Sequence, residues 1–379
     1  MIFIQARLKI CIIHFLFVIL QRKTDRTMIY DDIHSALATR LAEYDQVCVV
    51  ADENVSAKGL QAIAQYPVLR LKVSEETKNL ETVTHIWDFM LAQRMTRRGV
   101  LVCIGGGVLT DLGGFAAATY KRGIRYINVP TTLLAMVDAS TGGKTGCNYG
   151  GLKNCIGAFH APVETLICPS FLSTLPAAQM LSGFAEMLKT GLVSSEPSSI
   201  RHPHADLWAG LLQYDLERMD IAALTPLIEA CVAAKTHIVA ADPQEDGLRK
   251  ALNLGHTVGH ALEEMSLSAK QSFRPQDGLL HGYAVLYGMI AELYLSVTLL
   301  GCPREPLHQL TQIMLHAYGR PDCKCSDRER LVALMQQDKK NERAAQINCT
   351  LIRDIGQPVI NQVITPEQMN EALDYLFSL

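Results

Sequence analysis

The sequence predicts an α/β amino-terminal domain built on a parallel sheet, followed by a mostly α-helical carboxyl-terminal domain. Three observations predict it. From Gln46 onward, short β-rich runs alternate with amphipathic helical runs, the pattern of a parallel sheet with crossover helices. Gly105, Gly106 and Gly107 stand between an apolar run and a helical one, the place where such sheets meet ligands. After ETLICPSFLSTLP, punctuated by Pro169 and Pro176, the texture turns helical for most of the remainder. The expected division is 28–174 and 175–379, preceded by a separate stretch at 1–27.

With 379 residues, 49% of them hydrophobic, the chain has enough apolar material for two cores. A charged fraction of 19% and a net charge of −3 give no basic field for nucleic acid. A small-molecule ligand is expected. The eleven cysteines are scattered, several in apolar strand-like runs such as Cys48, Cys103 and Cys168. That fits reduced thiols in a cytoplasm better than a disulfide framework. Cys323 and Cys325 read as ordinary loop cysteines. Near the amino terminus, the apolar run Ile10–Leu20 is flanked by Arg7, Lys9, Arg22 and Lys23. No small-residue cleavage site follows it, and it is shorter than the ~20 residues of a spanning helix. Met28 opens a plausible soluble start, so residues 1–27 read as an upstream extension, with a membrane anchor as the rival and less favoured reading.

The elements follow in order. QVCVVADENV reads as a strand ending at Asp52, AKGLQAIAQ as a helix, VLRLKV as a strand, and Leu80–Met95 as an amphipathic helix leading into GVLVCIGGG. Glycines there let a backbone approach a pyrophosphate, and the next helix offers free N–H groups and a partial positive charge. The triple glycine is not the G-x-G-x-x-G fingerprint, and a structural turn would use the same residues. Asp52 is placed to accept hydrogen bonds from a nucleotide sugar or to cap a helix. Arg122, Lys144 and Lys153 then appear among glycines, small hydroxyl residues and apolar stretches, expected as loops, where anion binding is the economical explanation. GGKT resembles the end of a phosphate-binding P-loop, but Asp138 stands where the first glycine belongs, which excludes a nucleoside-triphosphate hydrolase. Beyond Thr174, helices are expected at Ala177–Val193, Leu207–Tyr214, Ala222–Ala240, Leu248–Glu264, Tyr283–Leu299, Pro306–Tyr318 and Asp327–Gln337. A strand-like return, AQINCTLIRDIG, and a helix from Pro366 close the chain.

Within LNLGHTVGH, read as helical, His256 and His260 lie one turn apart on one face. His281 opens the next apolar helix, and Glu186 shares a helix face with Lys189. One carboxylate and two or three histidines from separate helices would make an open, three-ligand, zinc-type site. Each histidine would equally serve a core or helix-surface position, since short His-x-x-x-His matches are common.

The motifs GGGVLTDLGGFAAATYKRGIRYINVPTTLLAMVDASTGGKTGCN, LKNCIGAF, SGFAEMLKTGL, DGLRKALNLGHTVGHALE, LLHGYAV and DKKN occur in this order. Together they resemble 3-dehydroquinate synthase, a sugar-phosphate cyclase, over about Asp52 to Gly356. The resemblance implies an NAD-binding domain, a helical metal domain and usually a homodimer. It implies conversion of 3-deoxy-D-arabino-heptulosonate 7-phosphate into 3-dehydroquinate by transient oxidation, phosphate elimination, reduction and ring closure, with NAD returned unconsumed. It implies Zn2+, with Co2+ as a substitute, on Glu186, His256 and His281, and places His260 toward substrate or water. It assigns NAD contacts to Asp52, Asn54, Glu75, Lys78, Gly105, Gly106, Gly107, Val108, Asp111, Thr131, Thr132, Asp138, Lys144, Lys153, Phe171, Leu172, Ser173 and Thr174. Substrate contacts fall on Lys144, Asn154, Lys189, Lys235, Arg249, Asn253 and one of Lys339 and Lys340, with Arg122 reaching a neighbouring subunit's phosphate site.

Thr110 and Leu152 replace usual glycines of that family, and Tyr283 replaces a common glutamate. Thr110 is expected to tighten the pyrophosphate loop. No expected ligand or substrate cation is missing. Two alternatives within the fold are a cyclase of another sugar phosphate and a glycerol-dehydrogenase-like, metal-dependent alcohol dehydrogenase. Arg249 and Asn253 suit a substrate carboxylate and favour the heptulosonate. A catalytically dead binding module would be expected to have lost a ligand or a lysine.

Overall fold

The structure, a computed structural model, describes residues 26–56, 58–194, 207–268, 278–337 and 346–379. The apolar run at 10–20 and the pair Lys339 and Lys340 lie outside the described residues. The chain divides into two compact units, the first ending at Thr174 and the second spanning Leu175–Leu379.

Among the described residues, unit 1 contains strands β1 (Arg26–Ile29), β2 (Val47–Asp52), β3 (Val68–Leu71), β4 (Val100–Gly105), β5 (Arg125–Pro130), β6 (Lys144–Tyr149), β7 (Leu152–Phe159) and β8 (Glu164–Ile167). Its α-helices are α1 (Ile33–Leu41), α2 (Leu80–Ala92) and α3 (Gly107–Thr119). Six strands form a parallel sheet in the order β1-β8-β5-β4-β2-β3. Because successive side chains point to opposite faces, Cys48, Val50, Leu101 and Cys103 pack with residues of α2 and α3. Val47, Val49, Val100, Val102 and Ile104 pack with residues of α1 on the other face. Burial on both faces is why these strands read as unbroken apolar runs.

The chain leaves β2 toward β3 on one side and β4 toward β5 on the other. The direction therefore switches between β2 and β4, and a crevice belongs at their carboxyl ends, Asp52 and Gly105. Three expectations change in unit 1. AKGLQAIAQ gives a short 3-10 turn, Lys58–Ile63, in place of an α-helix. Lys144 and Lys153 stand in the antiparallel hairpin β6–β7, turned by Gly150 and Gly151 at φ 59° and 82°, in place of loops. Arg26 and Thr27, inside the 1–27 stretch, pair with Glu164 and Thr165 as the edge strand of the sheet.

Unit 2 contains helices α4 (Ala177–Val193), α5 (Leu207–Gln213), α6 (Ile221–Ala241), α7 (His256–Ser268), α8 (His281–Leu300), α9 (Glu305–Ile313), α10 (Arg328–Gln336) and α11 (Pro366–Ser378), with a hairpin of β9 (Ile347–Ile352) and β10 (Pro358–Ile364). Helix α8 is its centre, packed by α4, α7, α11 and β9. By length and composition α6 and α8 are apolar enough to cross a membrane. Burial of most of α8 inside the unit accounts for its composition. It ends at Gly301, left-handed at φ 71°, the usual helix stop.

The expected helix Leu248–Glu264 is interrupted. Leu248–Asn253 is a 3-10 turn, Leu254 is extended, Gly255 takes φ 80°, and α7 begins only at His256. A positive φ at Gly255 cannot continue an α-helix. The expected helix to Tyr318 likewise closes in a wider π-type turn, Met314–Tyr318.

Candidate active site

In unit 1 the residues at the switch point lie close together. A Cβ on Gly105 would come within 2.7 Å of Leu109 and 3.2 Å of the Asp52 Cβ, so the backbone there has no room for a side chain. Gly106 caps α3 without a side-chain hydrogen bond. The N–H groups of the first turn, Gly107 and Val108 among them, are thereby left to an anion, helped by the helix dipole. The Thr131 N–H donates to the Gly105 carbonyl at 3.0 Å. Thr132 Oγ1 accepts from the Ala135 N–H at 3.2 Å and opens the π-type turn that carries Asp138. Asp52 takes bonds from the Asn54 N–H at 2.9 Å and Nδ2 at 3.0 Å, an Asx turn in place of a helix cap. Burial raises its carboxyl above the ordinary value, with Asn54 partly opposing.

Lys78, 4% exposed, pairs with Asp111 at 2.6 Å. Glu75 Oε1 accepts from Asn148 Nδ2 at 2.8 Å, and Asn148 Oδ1 accepts from the Asn154 N–H at 2.8 Å. Asn148, which sequence reasoning missed, thus ties Glu75 to Asn154. Phe171, Leu172, Ser173 and Thr174 form a 3-10 turn just beyond β8, at the same carboxyl edge. Leu172 is buried, so only its backbone is on offer. Lys144 is exposed at the start of the hairpin and Lys153 half-buried. Arg122, at φ 66° just before β5, lies at the opposite, amino edge of the sheet and away from the others. Thr110 folds its hydroxyl back onto the Gly107 carbonyl at 3.0 Å.

In unit 2 three helices deliver a triangle of donors. Glu186, on α4 and 1% exposed, places Oε1 3.7 Å from His256 Nε2 and 3.3 Å from His281 Nε2. Two bonds of about 2.0–2.2 Å meeting at a tetrahedral angle separate their donors by roughly 3.3–3.6 Å, so the triangle fits a divalent cation with open positions. The donors of Glu186, His256 and His281 all lie within 4.8 Å of one another. Lys189, one turn along α4, forms a tight ion pair with Glu186.

Glycine contacts make this convergence feasible. A Cβ on Gly288 would come within 2.0 Å of the Gly255 carbonyl, and one on Gly282 within 1.9 Å of the Ser182 carbonyl. Their absence lets α8 lie directly on α7 and α4. His256 Nδ1 lies 3.1 Å from the Leu254 carbonyl, and the Gly255 N–H donates to Glu292 Oε2 at 2.6 Å. His281 Nδ1 lies 3.2 Å from Glu263 Oε2. Burial disfavours a charge on His281, but Glu263 and Glu186 outweigh it and raise its pKa to about 10. The His260 ring sits 5.4 Å from that of His256 and 6.1 Å from that of His281, beside the triangle.

In the same unit Lys189, Lys235 and Arg249 are 1%, 5% and 2% exposed. Arg249 Nη1 donates to the Pro243 carbonyl at 2.8 Å, and Asn253 Nδ2 donates to Glu245 Oε1 at 3.0 Å. Tyr283 packs edge-on against Tyr318 at 4.9 Å. Glu245, Glu263 and Glu292 were missed by sequence reasoning. Glu292 could have been found as a lone acid in an apolar run.

Residues 68–182 match the family model of the 3-dehydroquinate synthase N-terminal domain, and residues 183–341 that of the C-terminal domain. A 3-dehydroquinate synthase of Parabacteroides distasonis is 40% identical over 92% of this chain and 97% of its own length. That of Halorhodospira halophila is 37% identical over 88% and 92%. Among solved structures, ValA, a 2-epi-5-epi-valiolone synthase from Streptomyces hygroscopicus with NAD+ and Zn2+ bound, superposes with a TM-score of 0.78 at 29% identity, covering 93% of this chain and 96% of its own. A 2-deoxy-scyllo-inosose synthase complexed with carbaglucose-6-phosphate, NAD+ and Co2+ shares the fold at 23% identity and a TM-score of 0.78, over 92% and 95%. With both family domains matched in sequence and a Glu–His–His triangle in the second, the chain belongs to the 3-dehydroquinate synthase family.

Proposed function

We propose that the chain converts 3-deoxy-D-arabino-heptulosonate 7-phosphate into 3-dehydroquinate and phosphate, in the shikimate route to aromatic amino acids, with NAD and a divalent cation as cofactors. The observation that carries the reading is the Glu186–His256–His281 triangle with three buried cations, Lys189, Lys235 and Arg249, on the same unit. A doubly charged phosphate and a carboxylate are the anions that such a set of cations suits. An alcohol dehydrogenase has less use for them. When bound, the cation polarises a substrate hydroxyl and NAD accepts and returns a hydride.

The chain's own residues do the rest. Asp52, Asn54, Gly105 to Val108 and Thr131 hold the dinucleotide, and Lys78 with Asp111 fixes the neighbouring rim. Lys144, Lys189, Lys235 and Arg249 orient the substrate anions, and Asn154, Asn253 and His260 supply hydrogen bonds to its hydroxyls. A homodimer, with Arg122 serving the neighbouring subunit, is supported by the β6–β7 hairpin, which exposes Tyr149, Leu152, Ile156 and Phe159 at 59%, 62%, 37% and 52%. A cytoplasmic location is supported by cysteines that are all free among the described residues.

The test incubates the purified chain with NAD and, separately, the heptulosonate phosphate, glucose 6-phosphate and sedoheptulose 7-phosphate. Stoichiometric phosphate from the first alone, without net NADH, is the expected result. Accumulating NADH without phosphate release would make the protein a dehydrogenase.

A further inference from the structure

We propose that Glu263 is a positioning residue for the metal site, holding His281 in the one tautomer that presents Nε2 to the cation. The inference rests on the metal reading above. Glu263 lies on α7, two turns beyond His256, and is 3% exposed. Its Oε2 sits 3.2 Å from His281 Nδ1, while Nε2 of the same ring faces Glu186 Oε1 at 3.3 Å.

A neutral imidazole carries a proton on one nitrogen and a lone pair on the other. An ionised carboxylate only accepts, so a hydrogen bond to Glu263 puts the proton on Nδ1 and the lone pair on Nε2. A carboxylate behind a ligand histidine also makes that ring a stronger donor. His256 is held the same way by a weaker acceptor, with Nδ1 3.1 Å from the Leu254 carbonyl. Both histidines therefore turn Nε2 toward Glu186, one oriented by a carbonyl and the other by a carboxylate.

His260, Glu263 and His281 also place donors within 4.8 Å of one another, so Glu263 has a rival role as a ligand. That role would use His281 through Nδ1. It would turn the protonated Nε2 toward Glu186 and take His281 out of the triangle with His256. The positioning role keeps all three donors of the triangle and uses Glu263 as well.

The test uses the full chain stripped of metal by chelation. Zn2+ is titrated against a chromophoric chelator, and Co2+ is followed by its visible absorption, in the wild type and in E263A, E263Q and E186Q. The thermal midpoint of each metal-free protein is measured alongside. E263A should bind Zn2+ roughly 10- to 100-fold more weakly and alter the Co2+ spectrum, while the metal-free protein still shows a cooperative thermal transition. E263Q keeps an acceptor oxygen and should lose less affinity than E263A, with a Co2+ spectrum like that of the wild type.

Zn2+ affinity unchanged in both variants overturns the proposal, and so does an E263Q protein as empty as E186Q, which would make Glu263 a ligand. If E263A does not fold, E263Q decides alone, with affinity weakened but retained as the supporting result. A wild type that takes up no Zn2+ overturns the metal reading and this proposal with it. A wild type that binds beside variants that bind equally overturns this proposal only.

Discussion

At the scale of single residues, Glu186 carries the most. Its carboxylate is buried among two imidazoles and an ammonium group, so Glu186→Gln removes the one anionic donor of the triangle while keeping its shape. Metal analysis after dialysis should find the variant largely empty, and full occupancy with full activity would remove Glu186 from the site. Lys144→Ala tests a different step. If its charge stabilises the departing phosphate, kcat should fall about 100-fold or more while NAD affinity stays within a few fold. Lost NAD affinity with normal phosphate release would contradict the role. Residue type left one carboxylate and two or three histidines as a possible metal site, and it was the family resemblance that picked out Glu186, His256 and His281. Glu263 and Glu245 were not legible. Both look like solvated acids of polar stretches, and only the fold shows that one meets His281 and the other Asn253.

At the scale of elements, the site depends on where α7 starts and how closely α8 lies on it. Sequence periodicity merged Leu248–Glu264 into one helix, because apolar spacing alone does not register a positive φ at Gly255 or the Glu292 carboxylate that takes its N–H. The hairpin was missed for a related reason: in NYGGLKN the glycines were read as loop, although two glycines with positive φ also make a hairpin turn. Gly288→Ala would place a methyl 2.0 Å from the Gly255 carbonyl. It should cost about 1–3 kcal/mol in denaturant unfolding and weaken metal binding by displacing His256; a variant equal to wild type in both would show that α8 can shift without moving the ligand. The loop bearing Arg249 makes a second case. Burial works against a charge on Asp242, but the N–H groups of Gly247, Arg249 and Asp246 outweigh it and hold the carboxyl below its ordinary value. A depressed carboxyl contributes stability above its unfolded pKa and loses it as pH falls through the folded one. The stability of the wild type should therefore fall in acid more than that of Asp242→Asn. The variant should be about 1 kcal/mol less stable at neutral pH, and parallel pH profiles would exclude the role.

At the scale of the whole molecule, the alternation of strands and helices made the two-part architecture readable, but strand β1 was not. The first strand was hidden because RTMI is short and follows a long apolar run that dominated the reading of that end. The structure pairs Arg26–Ile29 with Glu164–Ile167, and the Tyr30 N–H continues the pairing onto the Ile167 carbonyl at 2.8 Å. Two truncations then separate the reading of the leading segment as an upstream extension from a role for it in folding. A chain starting at Arg26 keeps β1 and should be expressed, soluble and active, with the thermal midpoint of the full chain. A chain starting at Tyr30 uncovers the edge of β8, which is apolar at Leu166 and Ile167, and an open edge of that kind invites association. It should lose midpoint by about 2–4 °C for each kcal/mol of pairing removed and show more aggregation in light scattering. Equal behaviour of the two would make β1 dispensable, whereas an insoluble or inactive chain starting at Arg26 would return the leading segment to the working protein and revive the anchor reading.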